Sequence, residues 1–247
     1  MYTSLARLYD RLMDDVDYSA WADYYIRLLR IYGADIQSVC ECACGTGSLT
    51  CFLAEYPLKI TACDISEDML RVASEKARKK GVRIPFIRQD MRCVELPRHV
   101  DGIIAACDGV NYLTDEASLD AFLKSSFSSL KGGGTLAFDV SSTAKFLSMD
   151  GRVYCDERDD AACIWSCTYD AGTGILTMDV SLYIRMPGGL YQRLGEKHVQ
   201  KGRSAEDIVS ALKKAGFRDI RVFGDRTLEA PSKDEQRLHF TAYKPIE

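Results

Sequence analysis

The stretch Val39-Cys40-Glu41-Cys42-Ala43-Cys44-Gly45-Thr46-Gly47 decides the fold, together with Asp64 at the end of the run Lys59–Cys63. It reads as an apolar strand, a glycine turn and the start of a helix, followed by a second strand that ends in an acid. Glycine lets the backbone approach a ligand closely because it has no Cβ. Asp64 stands 19 residues beyond Gly45, near the spacing at which an acid after a second strand binds ribose hydroxyls. The turn is not GxGxxG and no GK[ST] follows, so the pattern favours an adenosine-type ligand over a dinucleotide or a triphosphate.

Composition is that of an ordinary globular protein. The 247 residues are 47% hydrophobic and 28% charged, which suits one large domain or a domain with an inserted subdomain. The net charge of −4 argues against a nucleic-acid partner bound mainly through phosphates. No apolar run approaches the ~20 residues of a membrane span, and the N-terminus lacks the pattern of a secretory signal. We therefore expect a cytoplasmic protein.

The ten cysteines are interpreted as packing residues. Cys40, Cys42 and Cys44 alternate along one predicted strand and cannot all face one metal ion. Cys163 and Cys167 are not spaced as a CxxC pair, and most other cysteines lie in apolar runs, where a free thiol behaves as a small hydrophobe. The expectation is that there is no metal site and no disulfide.

Strands alternate with helices between residues 38 and 140, which predicts a parallel sheet covered on both faces. The predicted strands are 38–43, 59–63, 85–88, 100–107 and 135–140, and the predicted helices are 48–55, 67–80 and 115–130. Before them, residues 5–32 have helical spacing with an interruption at 17–19. Ser19 is expected to cap the second helix there, and Gly33 to end it.

After residue 150 the pattern changes to short strands separated by turn residues. Asp170–Gly174 and Pro187–Gly189 have turn chemistry, and strands are predicted at 152–157, 162–169, 175–184 and 190–200. A helix at 205–215 and strands at 219–223 and 237–244 complete the chain. We therefore expect a main domain of residues 1–150 and 201–247, with a helical N-terminal segment at 1–33, and an inserted antiparallel β subdomain at 151–200.

Four motifs follow one another at the ends of predicted strands: Glu41–Gly47, Asp64–Leu70, Gln89–Met91 and Leu130–Leu136. Together and in this order they resemble the motifs of class I S-adenosylmethionine (SAM)-dependent methyltransferases. A further likeness to small bacterial methyltransferases of uncharacterised acceptor rests on the β insertion and on Tyr9–Met13, Tyr18–Trp21 and Asp108–Tyr112. Amino-sugar and glycine N-methyltransferases are similar in outline.

The resemblance implies an α/β fold with SAM as the cofactor. The sheet would have seven strands, mostly parallel and Rossmann-like, in the order 3-2-1-4-5-7-6. Asp64 would accept the ribose hydroxyls, Ile65 and Met69 would enclose the adenine, and the N-terminal segment would form a lid. The full predicted cofactor-binding set is Tyr9, Tyr18, Trp21, Glu41, Ala43, Cys44, Gly45, Asp64, Ile65, Met69, Asp90, Met91, Cys107, Asp108 and Tyr112.

Methyl transfer from a sulfonium is a direct displacement, so alignment matters more than a nucleophilic side chain. No catalytic residue is assigned; Asp108, Tyr112 and His198 are candidates for a base if the acceptor arrives protonated. We expect a small-molecule acceptor such as an amine, no membrane partner, and a monomer or homodimer. Two alternatives stay open: a nicotinamide-dependent oxidoreductase on a Rossmann core, and a non-catalytic SAM-binding module.

Overall fold

The computed structural model describes Ala6, Asp10 and residues 16–246. Its elements in chain order are α1 (Tyr18–Leu29), β1 (Ser38–Cys42), α2 (Ser48–Leu53), β2 (Lys59–Asp64), α3 (Glu67–Lys80), β3 (Phe86–Arg88), β4 (Val100–Ala105), α4 (Glu116–Ser129), β5 (Leu130–Ser141), α5 (Thr143–Met149), β6 (Val153–Arg158), β7 (Ala161–Asp170), β8 (Ile175–Arg185), β9 (Tyr191–Lys201), α6 (Ala205–Lys214), β10 (Arg218–Phe223) and β11 (Arg237–Tyr243). Short 3-10 turns at Met91–Cys93 and Gly109–Tyr112 follow β3 and β4. Among the described residues, no helix combines the length and the apolar composition that crossing a bilayer requires.

The larger sheet has seven strands in the order β3-β2-β1-β4-β5-β11-β10. Strands β1 to β5 pair in parallel, and β11 pairs antiparallel with both β5 and β10. The predicted order is therefore confirmed, including the reversed last hairpin. Because the strand order reverses between β1 and β4, their carboxyl ends open a crevice of the kind that binds ligands in open α/β sheets.

Helices cover both faces of this sheet. On one face, Phe122 of α4 and Leu212 of α6 belong to an apolar cluster that includes Ile103. On the other face, Leu29 of α1 belongs to a second cluster that includes Ile104. Ile103 and Ile104 are adjacent on β4 and enter different clusters because successive side chains of a strand point to opposite faces. This double burial explains why residues 103–106 of the predicted strand are apolar without alternation.

Strands β6 to β9 form a separate antiparallel sheet, each strand pairing with the next in the chain. Phe146 of α5 is 1% exposed and packs with Cys167 of β7, which anchors one end of this sheet. Asn111 donates hydrogen bonds to the carbonyl oxygens of Ser141 and Lys201, each at 3.0 Å. This amide therefore ties the turn after β4 to the last residues of β5 and β9.

Some local expectations about helix ends are wrong. Asp17 rather than Ser19 caps α1, since the Asp17 carboxylate accepts the backbone N–H of Ala20 at 3.0 Å. The helix ends at Leu29, and Gly33, with φ of +78°, lies beyond its end.

The chain around β5 also differs from the expectation. Residues 131–134, which lie between the predicted helix and strand, belong to β5, and the register of β5 on β4 shifts between Leu130 and Thr135. The sequence pattern does not predict α5, which has seven residues and is too short to show helical periodicity.

Candidate active site

The turn after β1 has backbone conformations that suit glycine. Ala43, Gly45 and Gly47 have φ values of +53°, +54° and +69°. A Cβ added at Gly47 would lie 2.8 Å from the Cβ of Ala73, so glycine allows the turn to pack directly on α3. A Cβ added at Gly45 would meet nothing within 4 Å, because this residue faces an open crevice. The missing side chain leaves the main chain at Gly45 accessible to a ligand.

Asp64, at the end of β2, fixes this turn. Its Oδ2 accepts the N–H of Gly45 and its Oδ1 accepts the N–H of Ser66, each at 2.8 Å. Burial raises the pKa of Asp64, although these backbone donors oppose the rise. A carboxylate oxygen has two lone pairs, so each oxygen keeps one acceptor position for a ligand in the crevice.

Glu41 lies beneath the turn and is 3% exposed. Its Oε2 accepts the hydroxyl of Thr50 at 2.5 Å. Burial raises the pKa of Glu41 to about 8. A cationic ligand in the crevice would therefore favour ionisation of this acid.

Asp10 connects the N-terminal segment to the same turn. It accepts hydrogen bonds from the hydroxyls of Thr46 and Ser48 and forms an ion pair with Lys76 at 2.7 Å. The sequence identified this segment through its resemblance to a family, but gave no partner for Asp10. The predicted site residue Tyr9 lies outside the described residues.

The loop after β4 forms the second wall of the crevice and is held by a buried acid. Cys107 and Asp108 have φ values of +57° and +63°. Their N–H groups donate to Asp139 Oδ1 at 2.7 Å and Oδ2 at 3.1 Å. Asp139 is 0% exposed, accepts the Tyr25 hydroxyl at 2.6 Å and pairs with Arg237. Burial opposes ionisation of Asp139, but the Arg237 guanidinium lowers its pKa, so the acid stays charged.

Two predicted site residues belong to this network rather than to the crevice wall. The side chain of Asp108 pairs with Arg237. Trp21 is 7% exposed and packs near Tyr25, and the Arg237 guanidinium lies 5.3 Å from the centre of its ring. Neither Trp21 nor Asp108 is among the described residues that line the crevice. A buried acid within the apolar run Leu136–Val140 is the one sequence signal that could have pointed to this network.

A single cavity of about 1010 Å³ joins the turn after β1, Asp64 and the loop after β4. Its described lining includes these predicted residues: Tyr18, Glu41, Ala43, Cys44, Gly45, Asp64, Ile65, Met69, Asp90, Met91, Cys107 and Tyr112. Ile65 is 62% exposed, so an apolar surface is left available to a flat ring. Asp90 accepts the backbone N–H of Arg92 at 2.9 Å and pairs with its guanidinium at 2.6 Å, which lowers the pKa of Asp90.

The antiparallel sheet β6–β9 forms the opposite wall of this cavity. The residues that it contributes are Asp156, Cys163, Trp165, Val180, Leu182, Glu196 and His198. The register places Trp165, Val180 and Glu196 side by side on neighbouring strands, so they share one face. Sequence reasoning predicted the insertion but, apart from His198, missed these residues. The spacing of Glu196 and His198, two apart on one strand, was a signal that both point to the same side.

Three thiols meet below the turn. The sulfur atoms of Cys40, Cys42 and Cys63 all lie within 4.8 Å of one another and are buried. Cys44 is not part of this group, but Cys63 joins it from β2, where it pairs with Cys42. Among the described residues, these three thiols form the group whose spacing matches that of a metal site. Soft metals prefer thiolate ligands. The surroundings of this group are apolar and include Met91.

Comparison with known proteins identifies the family. Residues 39–134 match the family model of the methyltransferase domain. The chain is 31% identical to a protein of Geobacillus sp. (strain WCH70) that is provisionally named a methyltransferase, over 98% of this chain and 99% of that protein. It is 26% identical to dTDP-3-amino-3,4,6-trideoxy-alpha-D-glucopyranose N,N-dimethyltransferase of Streptomyces venezuelae, over 82% of this chain and 84% of that protein. The crystal structure of a SAM-dependent methyltransferase from Clostridium acetobutylicum ATCC 824 matches with a TM-score of 0.88 and 27% identity, over 100% of this chain and 99% of that one.

The chain therefore belongs to the class I SAM-dependent methyltransferases. It is an enzyme of that family, and SAM is its cofactor. The crevice fits this cofactor, since it offers an accessible glycine backbone, carboxylate acceptors at Asp64 and an exposed apolar side chain at Ile65. The nicotinamide-dependent and non-catalytic alternatives are set aside.

Proposed function

We propose that this enzyme methylates a small-molecule amine bound between the SAM crevice and the sheet β6–β9. The observation that carries the proposal is the continuity of one cavity from Asp64 to Glu196. Pockets for a single small molecule usually measure ~300–1,000 Å³, and this cavity, at about 1010 Å³, lies at the upper end of that range. Its size leaves room for an acceptor beside the cofactor.

We call the part of the cavity beside the turn after β1 and Asp64 the cofactor half, and each residue there has a role that its position supports. Asp64 would accept the ribose hydroxyls with its remaining lone pairs, and Ile65 and Met69 would cover the adenine. The main chain at Ala43 and Gly45 would lie along the methionine part. Bound SAM supplies a methyl group activated by its sulfonium, chemistry that amino-acid side chains do not provide. The remaining proposed contacts are Tyr18, Glu41, Cys44, Asp90, Met91, Cys107 and Tyr112.

We call the part of the cavity lined by the sheet β6–β9 the acceptor half, and there carboxyl side chains lie beside apolar ones. Glu196 and Asp156, the latter paired with Arg158, supply carboxyl groups, and Trp165 and Leu182 supply apolar surface beside them. This combination suits a small cationic molecule with a carbon skeleton. The relative that acts on an amino sugar nucleotide, according to its name, supports the amine class.

The proposal also divides the chain by role. Residues 151–200 would form the acceptor-binding subdomain, on a main domain of residues 1–150 and 201–247. The N-terminal segment 1–33 would contribute cover to the cofactor through Tyr18, and Asp10 would hold it to the turn.

A labelled-methyl assay tests the acceptor class. The protein is incubated with radiolabelled SAM and a panel of glycine, sarcosine, amino sugars and nucleotide-linked amino sugars, with alcohols and carboxylic acids of matched size as controls. The expected result is label transfer to one or more amines. Transfer to oxygen acceptors alone, or to no member of the panel, would contradict the amine assignment. Calorimetric titration with SAM tests the cofactor half separately.

A further inference from the structure

A histidine in the acceptor half is held between two polar side chains. His198 Nδ1 lies 3.1 Å from the Tyr112 hydroxyl, and His198 Nε2 lies 3.4 Å from Glu196 Oε2. All three side chains line the cavity. Tyr112 ends the 3-10 turn that starts two residues after Cys107, so this group stands where the cofactor half and the acceptor half meet.

The surroundings of His198 favour its neutral form in the absence of ligand. Burial lowers the pKa of His198 and raises the pKa of Glu196. Glu196 Oε2 has no hydrogen-bond partner among the described residues, so it is available to a proton on the imidazole. Opposite His198 on β8 stands Met178, which carries no charge.

The other acids near the cavity already have partners. Asp108 pairs with Arg237, and Asp156 pairs with Arg158 at 3.0 Å. Asp115 accepts the N–H of Ser118 at 2.8 Å as the cap of α4. Of the groups that the sequence offered as bases, Tyr112 and His198 remain.

Tyr112 is oriented to pass a proton to His198. Desolvation of its hydroxyl raises the pKa of Tyr112 to about 12, so the phenol is protonated at neutral pH. It donates to His198 Nδ1 in the tautomer that carries the imidazole proton on Nε2, towards Glu196. Gln200, on β9, opposes this rise in the pKa of Tyr112. A phenol oxygen has two lone pairs, and the second stays free for a donor in the cavity.

We propose that Tyr112, His198 and Glu196 form a proton relay that removes the proton of an ammonium acceptor, an inference that rests on the proposed function. The ammonium N–H bond breaks and its electron pair stays on nitrogen. The proton bonds to the Tyr112 oxygen as the tyrosyl proton passes to His198 Nδ1. Tyr112 remains neutral, and the imidazolium faces the Glu196 carboxylate.

Methyl transfer and release of the proton to solvent complete the reaction. Bound SAM would supply the methyl group to which the freed nitrogen pair bonds, and the electrons of the broken carbon–sulfur bond would stay on sulfur. His198 then gives its proton to solvent, so one proton is released for each methyl group transferred. Tyr112 is the catalytic residue in this scheme because it touches the acceptor, and Glu196 is a positioning residue.

A pH profile distinguishes a relay from a structural role. The variants are Tyr112→Phe, His198→Gln and Glu196→Gln, and His99→Gln, which changes an exposed histidine, is the control. With the amine that takes up label, kcat/KM at pH 7 should fall about 10²–10⁴-fold in Tyr112→Phe and His198→Gln, the usual contribution of general base catalysis. The loss should shrink as pH approaches the pKa of the amine itself, because solvent then supplies the free base. An equal loss at every pH, or no loss, would overturn the relay.

Two measurements need no turnover. NMR titration should show that Glu196→Gln lowers the pKa of His198, since it removes the carboxylate 3.4 Å from Nε2. Calorimetry should show unchanged SAM affinity in His198→Gln, Glu196→Gln and His99→Gln. An unmoved His198 pKa would overturn the role of Glu196. If wild-type protein binds no SAM, the proposed function fails, whereas methylation that persists in His198→Gln defeats the relay alone.

Discussion

Replacing Asp64 by alanine should weaken SAM binding strongly. The carboxylate holds Gly45 and Ser66 through hydrogen bonds of 2.8 Å, and in our proposal its remaining lone pairs hold the ribose. A hydrogen bond to a charged group contributes ~1.5–3 kcal/mol. Loss of the ribose acceptor alone therefore predicts an affinity about 10- to 150-fold lower, since ~1.4 kcal/mol is tenfold. Release of the Gly45 N–H should add to this loss by loosening the turn.

Calorimetry with SAM and S-adenosylhomocysteine, paired with urea unfolding of each variant, measures these effects separately. Asp64→Asn keeps the shape and one carbonyl acceptor, so it should lose less affinity than Asp64→Ala. Glu75→Ala is the matched control, because Glu75 forms a half-exposed ion pair with Arg71 at 3.7 Å on α3. Such a pair contributes ~0–1 kcal/mol, and the affinity should not change. A folded Asp64→Ala protein with wild-type affinity for both ligands would refute the reasoning.

Three further perturbations test groups around the crevice. Burial raises the pKa of Glu41 from 4.5 to about 8, so between these two pH values the folded state keeps a proton that the unfolded state releases. Urea unfolding should therefore show that the free energy of unfolding falls as pH rises from 4.5 to about 8. A fall of the same size in Glu41→Gln would contradict this cause. Asp139→Ala leaves Arg237 buried without this partner, so the free energy of unfolding should fall by about 3–5 kcal/mol. Calorimetry should detect no SAM binding by this variant. Full SAM affinity would argue against the role of Asp139 in holding the loop after β4. Gly47→Ala should destabilise the fold by ~1–3 kcal/mol more than Gly33→Ala. Both glycines have positive φ, but only a Cβ at Gly47 would meet a neighbour, at 2.8 Å. Equal melting temperatures for the two variants would contradict the clash.

The motif region could be predicted because its signals are local. Ser66 and Gly81 bracket α3, which matches the predicted helix 67–80: the Ser66 hydroxyl accepts the N–H of Met69 at 3.3 Å, and Gly81 adopts φ of +74°. The positions of Asp64 and Gly45 likewise follow from the ends of two neighbouring parallel strands. The strand order, by contrast, came from resemblance to the family and not from periodicity.

Contacts between distant residues could not be predicted. Asp139 and Arg237 are 98 residues apart and meet only because β11 pairs with β5 in one register. Tyr112 and His198 are 86 residues apart and meet because the inserted sheet folds over the crevice. The location of Trp21 could not be predicted from its residue type, because an aromatic side chain suits both a lid and a core. The structure places Trp21 in the core.

The most direct test of the account is a crystal structure of the protein with S-adenosylhomocysteine. We predict that the ribose contacts Asp64, that the adenine lies against Ile65 and Met69, and that the sulfur faces Tyr112 beneath the sheet β6–β9. A ligand bound elsewhere on the protein, or a sulfur turned away from that sheet, would contradict the account.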